Sequence, residues 1–309
     1  MEAFSAVIMI SYLLEKSSSM RIKADLTLLT VSVIWGFAFL SQSIAAQFKS
    51  AYLFNGLGFL LAATLLFPFI KNKPGIPRAQ WFWMAVAGFI LFIASAFQQV
   101  GIFYTAIANA GFLTSLYTVI TPFILFFLFR EKPKWIDILA VLLAGFGAFF
   151  LSTAGNFHIQ PGDLLEITGA IFWALHIVVL GKFALKFDAI SFSAGQFFFS
   201  AIFNLVVAFF VDDFRVLFAP IFIGAVLFRS VFSITIGYTL QVWGQRHTPP
   251  TDAALILSLE SVFAAFAGWI FLKEFLLPVQ LIGCALIFVA VLLTQIHPLL
   301  NTKNIVQTS

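Results

Sequence analysis

Charge is the scarcest commodity in this sequence: only 10% of its 309 residues are Asp, Glu, Lys or Arg, against roughly 25% in an ordinary soluble domain. So little charge cannot cover a water-facing surface. A mean hydropathy of +1.04 leaves only short loops, with no room for a domain outside a bilayer. Cysteine is nearly absent. Cys284 stands alone, which excludes an intramolecular disulfide, a CxxC redox pair and a Cys-rich metal site. The four histidines, His158, His176, His247 and His297, lie far apart and form no HExxH-type cluster, so neither a metal nor another cofactor is implied. There is no GxxxxGK[ST] segment for ATP. Seventeen basic residues face thirteen acidic ones, scattered along an apolar chain. They make no basic face for nucleic acid.

What is there is apolar length. At roughly 20 residues per transmembrane helix, a composition that is 61% apolar supplies nine or ten spans. The apolar runs have helical length and not the ten-residue alternation of a membrane barrel. Ten helices are expected, at about 25–46, 51–70, 80–101, 108–129, 134–152, 163–184, 189–211, 217–243, 251–272 and 277–297. The apolar stretch Ala3–Leu14 is too short to span and lacks a basic flank in front of it, so it reads poorly as a signal peptide. Residues 1–20 are therefore set apart as an extension with no assigned element, and 298–309 as a tail. With the N-terminus inside, the inner segments hold Lys16, Arg21, Lys23, Lys71, Lys73, Arg78, Arg130, Lys132, Lys134, Lys182, Lys186, Arg246 and Lys303, while the outer ones hold only Lys49, Arg215 and Lys273. The positive-inside rule then puts both termini in the cytoplasm and the chain in the inner (plasma) membrane.

The two halves match each other. At an offset of 138, Asp25 meets Asp163 and Trp35 meets Trp173; at 143, residues 98–131 meet 241–274 with nine identities, among them Gln98/Gln241, Gly101/Gly244, Thr105/Thr248, Ser115/Ser258 and Glu131/Glu274. The expected organisation is a first repeat at 21–152, a linker at 153–162 and a second repeat at 163–297. Five spans per half is odd, so the halves cross the bilayer in opposite senses. The fold class is an all-α membrane protein of ten transmembrane helices in two inverted five-helix repeats. Such repeats place a substrate site near the midplane and move by alternating access.

The strings Phe97-Gln98-Gln99-Val100-Gly101, Ala108 to Thr114 and Arg130-Glu131, with Gln241 to Gln245, Ser258 to Ala265 and Lys273-Glu274 in the second half, resemble the drug/metabolite transporter superfamily and its EamA domain. The resemblance covers about residues 21–297 and implies a permease without naming its substrate. Many relatives carry a basic residue after the Asn of span two, where this chain reads Asn55-Gly56. A contact made by that residue is not expected here.

Ionisable side chains inside a bilayer are costly and by default functional. Three stand mid-span: His176, Arg229 and Glu260. Glu260, a lone carboxylate among Leu, Phe and Ala, can trade a proton as a cavity opens and closes; the alternative is a structural pair with Arg229 or His176. His176 is a proton relay or a packed helix contact. Arg229 is a two-pronged donor to a substrate carboxylate or phosphate, or the neutraliser of Glu260. Gln42, Gln98, Gln99, Tyr104, Tyr117 and Gln241 offer neutral hydrogen bonds that suit a small zwitterion, or else join helices. Trp35 and Trp173 are cavity walls or packing. Asn109 and Asp252, at equivalent helix starts, read as caps. Pro122, Gly145, Gly147, Gly268 and Gly283 read as sites of bending or close approach.

The substrate-binding set is thus Trp35, Gln42, Gln98, Tyr117, Trp173, His176, Arg229, Gln241 and Glu260, with Glu260 and His176 as proton-coupling residues. The function expected is secondary active transport of a small metabolite, an amino acid or related compound, as proton-coupled efflux. The alternatives are a flippase of the same fold for a lipid-linked substrate and, further off, a membrane-embedded enzyme, which would need clustered carboxylates or histidines. The partners are a small molecule and the bilayer, with no nucleic acid. Monomer and homodimer both stand open.

Overall fold

The structure is a computed structural model, and it describes residues 2–70, 76–105, 107–153, 161–272 and 277–307. Every regular element among them is helical. In chain order these are α1 (Glu2–Ala46), α2 (Ala51–Ile70), α3 (Arg78–Gly101), α4 (Ile107–Ser115), α5 (Tyr117–Phe129), α6 (Trp135–Thr153), α7 (Pro161–Phe183), α8 (Ala189–Val211) and α9 (Pro220–Phe228). A π-wound stretch (Arg229–Tyr238) leads into α10 (Thr239–Gly244), followed by α11 (Pro250–Leu257), α12 (Glu260–Leu272) and α13 (Pro278–Gln307). Seven segments are long and apolar enough to cross a membrane: Ser19–Ala46, Ala51–Ile70, Arg78–Gly101, Pro161–Lys186, Ala189–Val211, Pro220–Gly244 and Pro250–Phe271. Shorter apolar helices occupy Leu113–Phe129, Trp135–Gly147 and Pro278–Ala290. The protein is a multi-pass membrane protein.

Two ends differ from the expectation. Helix α1 begins at Glu2 instead of near residue 25, because neither Gly nor Pro interrupts the chain before Gly36. Helix α13 runs on to Gln307, through Pro298. The Lys273-Glu274 corner, Lys71, Lys73 and His158 lie outside the described residues, and the side chains of Asn109 and His297 are likewise not described.

Packing runs across the two halves. Helix α2 lies along α8, α6 along α13, α3 along α7 and α8, and α1 along α12 and the Pro220–Gly244 segment. Small residues allow the closest approaches. A Cβ on Gly147 would stand 2.7 Å from the Gly283 carbonyl oxygen, which is how α6 and α13 meet. A Cβ on Gly244 would stand 2.8 Å from Leu28 Cγ, and one on the matching Gly101 would stand 2.5 Å from Glu166 Oε1. Large apolar side chains such as Phe67, Phe127, Phe209, Phe210 and Phe271 are exposed around the outside. Lipid is the solvent that makes such a surface stable. Inside, the largest cluster joins Leu28, Phe59, Trp173, Phe197, Tyr238 and Leu257 from both halves.

The aqueous ends are tied by polar contacts. The Asp212 carboxylate accepts from the Leu53 backbone N–H at 2.6 Å, covering the first turn of α2. Burial pushes the Asp212 carboxyl above the usual carboxylate range, against the pull of the Leu53 and Tyr52 N–H groups. Next to it, Asp213 is held below that range by hydrogen bonds from Arg215. At the opposite end Lys182 pairs with Glu131. Asp252 does not cap α11, whose N-cap is Pro249 with no side-chain cap bond; from the first turn it takes Arg21 Nη2 at 2.6 Å, while Arg21 Nε bonds both oxygens of Asp25 at 2.9 Å. The cation is what the cap reading missed, since Arg21 lies 231 residues away in sequence.

Candidate functional site

Two of the spans are interrupted at matching places. Helix α4 stops at Ser115 and α5 starts at Tyr117; α11 stops at Leu257 and α12 starts at Glu260. The residues at these breaks are related by the 143-residue offset, Ser115-Leu116-Tyr117 answering Ser258-Leu259-Glu260. The hydrogen bonds repeat as well. Thr118 Oγ1 donates to the Ser115 carbonyl at 2.8 Å, and its counterpart Ser261 Oγ donates to the Ser258 carbonyl at 2.8 Å. A hydroxyl thus bonds the matching carbonyl at both breaks, at Ser258 in addition to the Ser261 N–H. The two residues that open the new helices then meet: Tyr117 Oη donates to Glu260 Oε1 at 3.0 Å. Corresponding interruptions in the two halves are where membrane carriers hold ligands.

A cavity of about 30 Å³ lies around this pair, room for one or two water-sized molecules. Of the nine residues that the sequence selected, eight line it: Trp35, Gln42, Gln98, Tyr117, Trp173, Arg229, Gln241 and Glu260. The ninth, His176, does not. It is fully buried behind the aromatic wall, its ring edge-on to Trp173 and Tyr238, and Nε2 donates to Gln196 Oε1 at 2.9 Å. Phe39, Thr114, Ile177, Ser233 and Tyr238 complete the lining and were not selected. The wall itself is aromatic. Trp35 and Trp173 flank Tyr238, with ring centroids 4.7 and 6.2 Å away, and the Trp35 indole N–H donates to the Ser233 carbonyl at 3.0 Å.

Arg229 opens the π-wound stretch, a winding that is rare and gathers at functional sites. The residue is 2% exposed, and its guanidinium donates to Asn55 Oδ1 and lies over the rings of Phe54 and Phe59 at 4.8 and 5.5 Å. It forms no ion pair with Glu260 or His176, so neutralisation by direct contact is not what it does here. Asn55 in turn donates to the Ser95 carbonyl at 3.0 Å. Gly56 has no room for the basic residue of other relatives, because a Cβ there would stand 2.8 Å from Leu205.

The remaining polar groups split into paired and unpaired. Gln98 Nε2 donates to Thr114 Oγ1 at 3.1 Å, and Gln99 Nε2 donates to the Gln42 carbonyl at 3.0 Å. Tyr104 is 51% exposed and lies away from the cavity. Among the lining residues, two acceptors, Gln42 Oε1 and Gln241 Oε1, and two donors, Trp173 Nε1 and Arg229 Nε, have no hydrogen-bond partner. Buried polar atoms without partners are expensive. A ligand that offers both donors and acceptors would satisfy them.

The comparisons with known proteins agree with this architecture. The model of the EamA-like transporter family matches residues 22–153 and again residues 160–296. A transporter of uncharacterized function from Archaeoglobus fulgidus is 34% identical over 280 residues, covering 90% of this chain and 87% of its own. The uncharacterized transporter YetK of Bacillus subtilis is 26% identical over 258 residues, with 79% and 78% covered. One crystal structure superposes with a TM-score of 0.74 at 17% identity, covering 89% of this chain and 96% of its own, a likeness of fold. The twofold family match and the 34% relative together place this chain in the EamA-like transporter family, within the drug/metabolite transporter superfamily, as a membrane transporter.

Proposed function

We propose that the protein is a secondary active transporter of the inner membrane that exports a small zwitterionic metabolite, an amino acid or related compound, in exchange for protons. It works by alternating access between two inverted five-helix repeats, with both termini in the cytoplasm. The observation that carries this reading is the composition of the cavity. Arg229 and the Trp173 N–H suit a carboxylate, while Glu260 and the Gln42 and Gln241 carbonyls suit an ammonium group. Trp35, Tyr238 and Trp173 supply a flat apolar wall. Such a pairing of opposite charges across one cavity answers a zwitterion better than a simple anion or cation. The inverted arrangement is supported by the repeated breaks at Ser115 and Ser258 and by the direct Tyr117–Glu260 contact between register partners.

Glu260 carries the coupling in this scheme. Bound substrate holds it ionised; when substrate leaves, a carboxylate in a cavity this small takes a proton to remain inside. Vesicles reconstituted with the purified protein and loaded with a labelled amino-acid mixture test it. Counterflow of one or more of these solutes, chemically unchanged and accelerated by an opposing proton gradient, is the expected result. Glu260→Gln should keep membrane insertion and lose the response to the gradient by tenfold or more. Transport in that variant with the gradient response intact removes Glu260 from the coupling role.

A further inference from the structure

The scheme above leaves one buried carboxylate without a task. Glu166 sits in the second turn of α7, fully buried, and accepts from Thr114 Oγ1 at 3.2 Å through Oε2. Its other oxygen, Oε1, has no hydrogen-bond partner. Thr114 is also a cavity residue, and its hydroxyl oxygen accepts from Gln98 Nε2, leaving the hydroxyl hydrogen free to turn between Glu166 and the cavity. One hydroxyl therefore separates Glu166 from the cavity. Helix α3 leaves space for the carboxyl by placing Gly101 against it.

The repeat shows that the fold does not need a carboxylate here. The residue in register with Glu166 is Leu28, equally buried, packed against Gly244 as Glu166 is packed against Gly101. The same slot is filled once by a leucine and once by an acid. Among the described residues Glu166 has no basic partner within ion-pair distance. Among the described residues the cation lining the cavity is Arg229, which donates to Asn55. The charged group that faces Glu166 is another carboxylate, Asp163, one turn earlier on α7; α3 and α4 bring Gln98, Gly101 and Thr114, none of which titrates. Asp163 is 5% exposed and accepts from Thr105 at 2.5 Å, toward the end of the bundle.

We propose that Glu166 is a second proton-carrying site of the transporter, placed between the central cavity and the Asp163 end and joined to the cavity through Thr114. The transfer balances simply. When Glu166 is protonated the hydrogen bond reverses, its Oε2–H donating to Thr114 Oγ1 while the Thr114 hydroxyl turns to a water in the cavity. The carboxyl proton passes to Oγ1 as the hydroxyl proton passes to that water, leaving a carboxylate, a neutral threonine and a hydronium that carries the proton into the cavity. The reverse steps reload it. The proposal rests on the carrier reading and is independent of the role given to Glu260.

Infrared spectroscopy of the full-length protein in liposomes tests it without a substrate, using deuterium oxide and bulk pH as probes. In Glu260→Gln, where the other cavity carboxyl is gone, a protonated-carboxyl stretch should persist, shift on transfer to deuterium oxide and lose amplitude as pH is raised. Its Glu166 part, read as the difference from Glu260→Gln so that other raised carboxyls such as Asp212 cancel, should vanish in Glu260→Gln/Glu166→Gln and in Glu260→Gln/Glu166→Leu, the latter a residue the other repeat already accommodates. Thr114→Val should slow the deuterium shift tenfold or more while the band remains. A Glu166-dependent band that neither exchanges nor responds to pH, or no such band in protein of native helical content, overturns the proposal. Loss of the Glu260 role alone leaves these spectra unchanged, so the two readings fail separately.

Discussion

At the end of the bundle that carries Asp25, the Thr248 hydroxyl donates to that carboxylate at 2.7 Å; at the end that carries Asp163, Thr105 donates to Asp163 at 2.5 Å. The four residues are two register pairs, so one contact is built twice, on opposite faces. What surrounds it differs. Arg21 clamps Asp25 and Asp252 together, tying the start of α1 to the start of α11. At the positions in register with Arg21 and Asp252 the sequence reads Ile159 and Asn109, neither of them charged. The shared hydroxyl contact belongs to both halves, whereas the arginine clamp is found at one end; in the alternating-access scheme proposed above, that asymmetry would set which end closes more firmly.

Removing the clamp should give the largest change. Arg21→Ala leaves two carboxylates facing each other without their cation; partial exposure of all three side chains reduces the loss to about 1–2 kcal/mol, or roughly tenfold in the balance between open and closed. Single cysteines at Gln241 and Gln98, register partners on the cavity, report the two sides in a Cys284→Ser background. Arg21→Ala should speed labelling of Gln241→Cys from the Asp25 face by about tenfold and slow that of Gln98→Cys from the other. Equal acceleration at both positions would mean general loosening and no alternation.

The threonines should give a smaller and symmetric pair of effects. Thr248→Val and Thr105→Val each remove one hydrogen bond to a carboxylate, worth about 1 kcal/mol, and should raise labelling on their own face only. If Thr248→Val changes nothing while Arg21 is present, the clamp alone holds that face and the shared contact is mere packing.

Much of this arrangement was legible in the sequence, for a physical reason: a polar residue in an apolar run is costly enough that its presence marks the interior. That reasoning found Glu260, Arg229, Gln98 and Gln241, and the register of the two halves paired Tyr117 with Glu260, which touch. His176 shows the limit. It lies three residues beyond Trp173 on α7, and that rotation sends its ring behind the wall to Gln196. Tyr238 was passed over because hydropathy cannot foresee a π-wound stretch that turns it inward between two tryptophans. Glu166 does not stand out in the sequence, because it lies near a helix start, where acids are ordinary. Setting it against Leu28 in the same register would have exposed it.

Asp212 offers the mildest probe of the contrast between the faces. It lies on the same face as Asp163, and backbone N–H groups of Leu53 and Tyr52, not an arginine, hold it. Burial raises its carboxyl above the usual range. A group raised in the folded state contributes stability below its unfolded range and loses it as pH rises through the folded value. Wild-type protein should therefore lose stability with rising pH across the carboxylate range relative to Asp212→Asn, which keeps an acceptor for the Leu53 N–H but cannot ionise. The difference should stay below about 1 kcal/mol, the scale of a helix cap, and melting curves in detergent at a series of pH values resolve it. Parallel curves for the two proteins would show that the N–H groups fully offset burial, and this face would then be as settled in its charge as the one Arg21 clamps.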